Sequence, residues 1–239
     1  MERAKTETSS EAAASALRWW TDAGVDSLVA EEPRDWLGTR ETVPSGAAPA
    51  HQADVFPGQL ELFLEYLRTS DRLSFASPSA PRICPSGDPA SGLMIMADMP
   101  SVEDCSAGSL FSGEAGQLFD RMLGAIGRDR DSIYLAALSC IRSPTGRLSG
   151  DPASRCTTLA RHHIGLAAPK ILLLLGDEVS KALLGLPASR ARGRWHEVQT
   201  HAGPIKAMVT YRPSYLLDQP AAKAHAWADL QMLAKGWDQ

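Results

Sequence analysis

A carboxylate, a set of arginines and four thiols are the side chains in this sequence whose types and placing lend themselves to chemistry. Asp98 lies in Ala97-Asp98-Met99-Pro100-Ser101, straight after an apolar run, with the small-residue stretch Gly108 to Gly116 behind it. A carboxylate between the end of a strand and the start of a helix can orient a water or bind a polar substrate; an Asp ahead of a Pro also caps its own turn. Arg212 follows another apolar run, in Thr210-Tyr211-Arg212-Pro213-Ser214-Tyr215-Leu216-Leu217. Its permanent cation suits a phosphate or a developing anion, and equally a surface ion pair. Arg142 to Arg147 and Arg190-Ala191-Arg192-Gly193-Arg194-Trp195 set arginines beside glycine, a composition shared by phosphate-binding loops and by plain solvated ones. Cys84, Cys105, Cys140 and Cys156 are widely spaced with no C-x-x-C pair. They read as reduced thiols, and no metal site is expected from the spacing. His162 and His163, adjacent on a helix, point apart and are expected to be solvated or capped. For Trp195 core packing is favoured over ring stacking.

Such residues act together only if a scaffold gathers the ends of several strands. Leu93 to Ala97, Ile133 to Leu138, Ile171 to Leu175 and Ile205 to Thr210 are short apolar runs that read as strands, and Glu114 to Ile126, Ala153 to Ala168 and Glu178 to Leu184 between them read as helices. Continuous apolar strands alternating with helices predict an α/β fold: a three-layer α/β/α sandwich around a central four-stranded parallel sheet. Ligands in such folds sit beyond the carboxyl ends of the strands, which places function just after Ala97, Leu138, Gly176 and Thr210. Ahead of this, Glu11 to Trp20 predicts an amphipathic helix within an acidic extension of residues 1–40. Residues 41–57 have a Pro, Gly and Ala linker composition, and the main domain spans 58–239, opening with a helix over Gln59 to Arg68. Ser77 to Gly92 reads as loop.

At 239 residues, 44% of them hydrophobic and 22% charged, the chain can bury one substantial core, and disulfide scaffolds, collagen and wholly disordered chains are excluded. No apolar run approaches the ~20 residues of a membrane span and the start is not signal-like, so a cytoplasmic protein without membrane contact is expected. The net charge of −4 is uneven: residues 1–54 carry 10 acidic and 5 basic side chains, and the remainder 18 and 19. Overall acidity therefore does not exclude nucleic acid, which needs only a local basic surface.

The order A-D-M-P, then G-x-x-F-x-G-x-A-G-Q-L-x-D-R-M-L over Gly108 to Leu123, Pro169-Lys170, Leu183-Leu184-Gly185, R-G-x-W and Pro213-Ser214-Tyr215-Leu216-Leu217 resembles the uracil-DNA glycosylase superfamily, specifically the family-4 type. The likeness runs from about Leu93 to Trp227, and Ala16 to Trp36 is similar to the extension of alphaproteobacterial members. The resemblance implies DNA repair and a base pocket, but the residues match only in part. Asp98 stands where the family has a Glu that acts on the attacking water. Phe111 matches the aromatic that stacks on the everted base, with Met99 and Pro100 beside it. Ala137 replaces the Asn that reads the uracil edge, and Arg212 replaces the His that stabilises charge on uracil O2. Leu216 matches the wedge that fills the gap left in the duplex; Arg192, Gly193, Arg194, Pro213, Ser214 and Tyr215 fall on the DNA-facing loops. Of four cluster ligands only Cys156 is in register, Ile141 taking the third position with Cys140 one residue off, and a [4Fe–4S] cluster needs four thiolates. No cofactor is therefore expected.

Loss of a paired polar reader commonly costs ~10⁴ or more in discrimination. The expectation is a divergent relative that binds DNA, single-stranded or damaged, with degenerate catalytic residues, and that meets a repair-protein partner through its N-terminal extension. The alternatives are an active DNA N-glycosylase of altered base preference, using Asp98 and Arg212, and a protein-interaction scaffold.

Overall fold

The apolar runs form the middle of a mixed sheet. In chain order its strands are β1 (Ser86–Gly87), β2 (Leu93–Ala97), β3 (Tyr134–Ala137), β4 (Ile171–Leu175), β5 (Trp195–Thr200) and β6 (Gly203–Thr210), hydrogen-bonded in the order β1-β3-β2-β4-β6-β5. The computed structural model describes residues 56–237 and, before them, Ala14, Ser15 and Trp19; apart from those three residues the expected extension lies outside the described residues, as does nearly all of the expected linker. The four expected strands are present and parallel, β3 and β4 flanking β2 and β6 beyond β4. The expected four-stranded sheet is extended to six by antiparallel edges, β1 on β3 and β5 on β6. Both edges are poor in continuous apolar residues, which is why neither is legible as a strand: β1 is two exposed residues, and β5 interleaves polar side chains with Val198.

Eight helices among the described residues accompany the sheet: α1 (Leu60–Thr69), α2 (Val102–Ala107), α3 (Gly113–Gly124), α4 (Gly150–Ala167), α5 (Asp177–Leu184), α6 (Ala188–Ala191), α7 (Pro213–Asp218) and α8 (Lys223–Trp237). Strand residues alternate between two buried layers. Leu93, Ile95, Leu173 and Leu175 pack with Phe119 and Leu123 of α3, Leu216 of α7 and Leu230 and Leu233 of α8. Met94, Met96, Leu172 and Leu174 pack with Ala160 and Ile164 of α4 and Val179 and Leu183 of α5. This is the three-layer α/β/α sandwich. A smaller cluster sets Phe63 and Leu67 of α1 against Cys140 and Ile141. No helix among the described residues is long and apolar enough to cross a membrane.

From β2 the chain adds β3 on one side and then crosses to place β4 on the other. That reversal opens a crevice beyond the carboxyl ends of β2 and β4, where Ala97 pairs with Leu175, and such switch points are where open α/β sheets hold ligands.

Candidate active site

Asp98 and Gly176 end the two strands that border the crevice. Gly176 is the N-cap of α5 and has no side chain with which to cap it; its φ of 127° is one that glycine adopts without strain. The cap comes instead from β2: Asp98 Oδ1 accepts the Val179 N–H of the first turn at 2.8 Å. A Cβ at position 176 would strike the Asp98 carboxylate, so the glycine is also the space in which that carboxylate lies. Asp98 is 5% exposed, and its second oxygen, Oδ2, has no hydrogen-bond partner. Arg212, at the end of β6, brings Nη1 to 3.8 Å from this oxygen while remaining 53% exposed at its side chain. Burial is the main influence on Asp98, only partly offset by the Val179 N–H and Arg212, and it pushes the carboxyl from 3.8 up to about 6. The pair borders a cavity of about 440 Å³, lined also by Arg147, Glu178, Tyr211 and Tyr215.

The other expected base-binding residues are held elsewhere. Phe111 stacks on Phe119, centroids 4.4 Å apart, and packs with Ala137 against the α3 and α8 layer; neither lines the cavity of Asp98 and Arg212. Met99 packs on the opposite layer, and Pro100 is buried, its carbonyl accepting Arg142 Nη1 at 3.0 Å. Arg142 thus braces the turn after β2, while Arg147 of the same loop faces the cavity.

Three side chains that the sequence reading passed over, those of Asp104, Arg130 and Asp229, hold the segments around this site. Asp104 closes a capping box with Ser101 on α2, and its other oxygen accepts Ser112 N–H at 2.7 Å, tying down the loop before α3. The Ser-x-x-Asp signal for it was present in Ser101 to Asp104. Arg130 donates to the carbonyls of Leu110 and Phe111 at 2.9 and 2.7 Å and to Asp120 at 2.7 Å, holding Phe111 at its φ of 54°. Gly116 lets the first turn of α3 close onto the Phe111 carbonyl, where a Cβ would collide. Asp229, fully buried on α8, binds Arg192 Nε and Nη2 at 3.0 Å each and accepts the Thr210 hydroxyl at 2.8 Å.

Asp229 also settles where the expected DNA-facing residues point. Arg192 spends its donors on Asp229 and on the His225 carbonyl, and its guanidinium lies 5.5 Å from the Tyr211 ring centre. Gly193 and Arg194 are exposed, Arg194 donating to the Arg190 carbonyl. On α7, Pro213 is buried and Ser214 half-buried; Leu216, expected as the wedge, is 1% exposed in the core, and Tyr215 beside it is 38% exposed. His163 is buried against the Tyr134 hydroxyl at 2.8 Å, and burial drives its pKa down to about 3; His162 meets the Pro57 carbonyl at 2.8 Å. Of the two expected environments, solvated or capped, both rings take the second, His163 buried and His162 half-buried where α4 packs on Phe63. Trp195 packs on the core layer, as expected.

The thiols do not fit a cluster. Cys140 and Cys156 border a cavity of about 20 Å³, room for about one water, in company with Ser74 and Ser139 hydroxyls. Burial pushes the free Cys140 thiol up to about 12 and raises that of Cys156, and among the described residues no group of three or more His, Cys, Asp or Glu side chains is placed to hold a metal. Ile141, at the third ligand position, is an apolar core residue.

A switch-point cavity holding a buried carboxylate and an arginine defines the class, an α/β protein with a candidate ligand site at its strand ends. The model of the uracil DNA glycosylase superfamily matches residues 84–231, and the chain belongs to that superfamily. It is similar to the type-4 uracil-DNA glycosylase of Pyrobaculum aerophilum, 27% identical over 157 residues that cover 63% of this chain and 80% of the relative. The type-4 enzyme of Archaeoglobus fulgidus is 21% identical over 156 residues, 62% of this chain and 78% of its own. That of Sulfurisphaera tokodaii is 25% identical over 142 residues, 56% and 64% respectively. The chain is a divergent, family-4-like member.

Proposed function

We propose that this protein acts in DNA repair by binding single-stranded or damaged DNA across the carboxyl ends of β2, β4 and β6 and receiving an everted base at the Asp98–Arg212 cavity, with the hydrolytic machinery degenerate. The approach of Arg212 to Asp98 carries this reading. The cation that would stabilise a departing base anion lies against the carboxylate that would activate water, so each offsets the other's charge. Ala137 has no polar group with which to read a base edge, and Phe111 is committed to Phe119. The N-terminal extension, residues 1–40, is assigned to a protein partner on its acidity and its Trp19-Trp20 pair.

A second reading, slow hydrolysis of the N-glycosidic bond of a deaminated base, is favoured by one observation: Oδ2 of Asp98 has no hydrogen-bond partner and the carboxyl is raised to about 6, towards the neutral pH at which a general base would operate. In that reaction water adds to the sugar carbon, its proton passes to Asp98, and the bonding pair leaves with the base. Base release from DNA containing uracil, hypoxanthine or xanthine, measured with protein in excess of substrate, separates the two. No release together with DNA affinity that falls as salt rises is the expected result. Stoichiometric release establishes the second reading, and no affinity at low salt overturns both.

A further inference from the structure

Leu216 is sealed in the core, whereas Tyr215 projects from α7 into the cavity mouth. The Tyr215 ring rests on that of Tyr211, centroids 4.9 Å apart and planes at 35°. Tyr211 in turn faces the Arg192 guanidinium, and Arg192 is held by two bonds to Asp229. A fully buried carboxylate thus anchors a guanidinium, the guanidinium supports one ring, and that ring supports a second that is open to solvent. Phenol rings lose little conformational freedom on contact, and a nucleobase has a π-face that stacks on any of them.

We propose that Tyr215, supported by Tyr211, Arg192 and Asp229, is the aromatic platform on which an unpaired or everted base stacks at the mouth of the Asp98–Arg212 cavity. Arg192 therefore acts on DNA through Tyr211, as a positioning residue. The proposal rests on the reading of this cavity as a DNA site and names the side chain that makes the contact.

The full-length protein is titrated into oligonucleotides carrying 2-aminopurine, once unpaired in a single strand and once opposite an abasic site. Affinity and 2-aminopurine fluorescence are read for the wild type and for Tyr215→Ala, Tyr215→Phe and Tyr215→Leu, with thermal melting as the check on folding. Tyr215→Ala is expected to melt like the wild type, to bind about tenfold more weakly and to lose the fluorescence change; Tyr215→Phe is expected to keep both. Wild-type levels of both signals in Tyr215→Ala or Tyr215→Leu overturn the platform and leave the DNA reading standing. Absence of any wild-type binding removes the DNA reading itself.

Discussion

Asp98 holds its carboxyl well above the ordinary carboxylate range, and the departure sets a sign for stability against pH. Its carboxyl lies at about 6 in the folded protein against 3.8 when free. The folded state therefore binds the proton more tightly than the unfolded one, and the stabilisation present at low pH is lost as pH rises from about 4 through 6. The loss levels off at roughly 3 kcal/mol. Asp98→Asn removes this dependence while keeping an oxygen for the Val179 N–H. Thermal melts at pH 4.5 and 7.5 are expected to show the variant gaining on the wild type as pH rises; parallel curves would place the carboxylate in solvent. Asp98 and Arg212 were legible in sequence because each follows an apolar strand, so any parallel sheet gathers them. Leu216 and Tyr215 were not. The six-residue helix after Pro213 is too short for periodicity to reveal its phase, and a one-position error exchanges a core leucine for an exposed tyrosine. Asp229 was invisible for another reason: its partner Arg192 is 37 residues away.

Among the elements, long apolar strands declared themselves and the connections that shape the site did not. Leu93–Ala97 and Ile171–Leu175 match their expected bounds, because a strand covered on both faces is apolar throughout. α8 gives a weak sequence signal, with Trp227 on its exposed side and Asp229 on its buried side. The loop between α2 and α3 depends on two polar side chains, Asp104 and Arg130, whose partners are backbone groups that carry no residue identity to read. Arg130→Ala withdraws a charged donor from two carbonyls, and hydrogen bonds of this kind contribute about 1.5–3 kcal/mol. Since Arg130 is partly exposed, water replaces some of this, and a loss of about 2 kcal/mol, or a melting point lower by about 4–8 °C, is expected. Arg130→Lys can restore only part of it, because an ammonium lacks the guanidinium's planar fork. A melting point unchanged in both variants would show that Phe111 keeps its turn without the clamp.

At the scale of the whole molecule, electrostatics divides the chain where composition does. One compact unit runs over residues 54–239, and the basic excess beyond residue 54 contrasts with the net −5 before it. Within the folded unit the cavity mixes signs, Arg147 and Arg212 against Asp98, Asp177 and Glu178, so its field alone draws a polyanion weakly. An acidic segment in the same chain repels phosphate at long range and leaves short-range stacking and hydrogen bonding untouched. The two contributions separate by salt. Replacing the ten acidic residues of 1–54 by their amides is expected to speed DNA association about tenfold at low ionic strength. The difference should shrink towards nothing near 1 M salt, where the screening length falls to about 3 Å. Dissociation is expected to change little at any salt if, as proposed, the contacts that set it lie on the folded unit. Stopped-flow association and dissociation rates across a salt series measure both. A gain in affinity that persists at high salt, or that comes from slower dissociation, would mean that residues 1–54 occupy the proposed DNA surface directly and do not act on it through their charge.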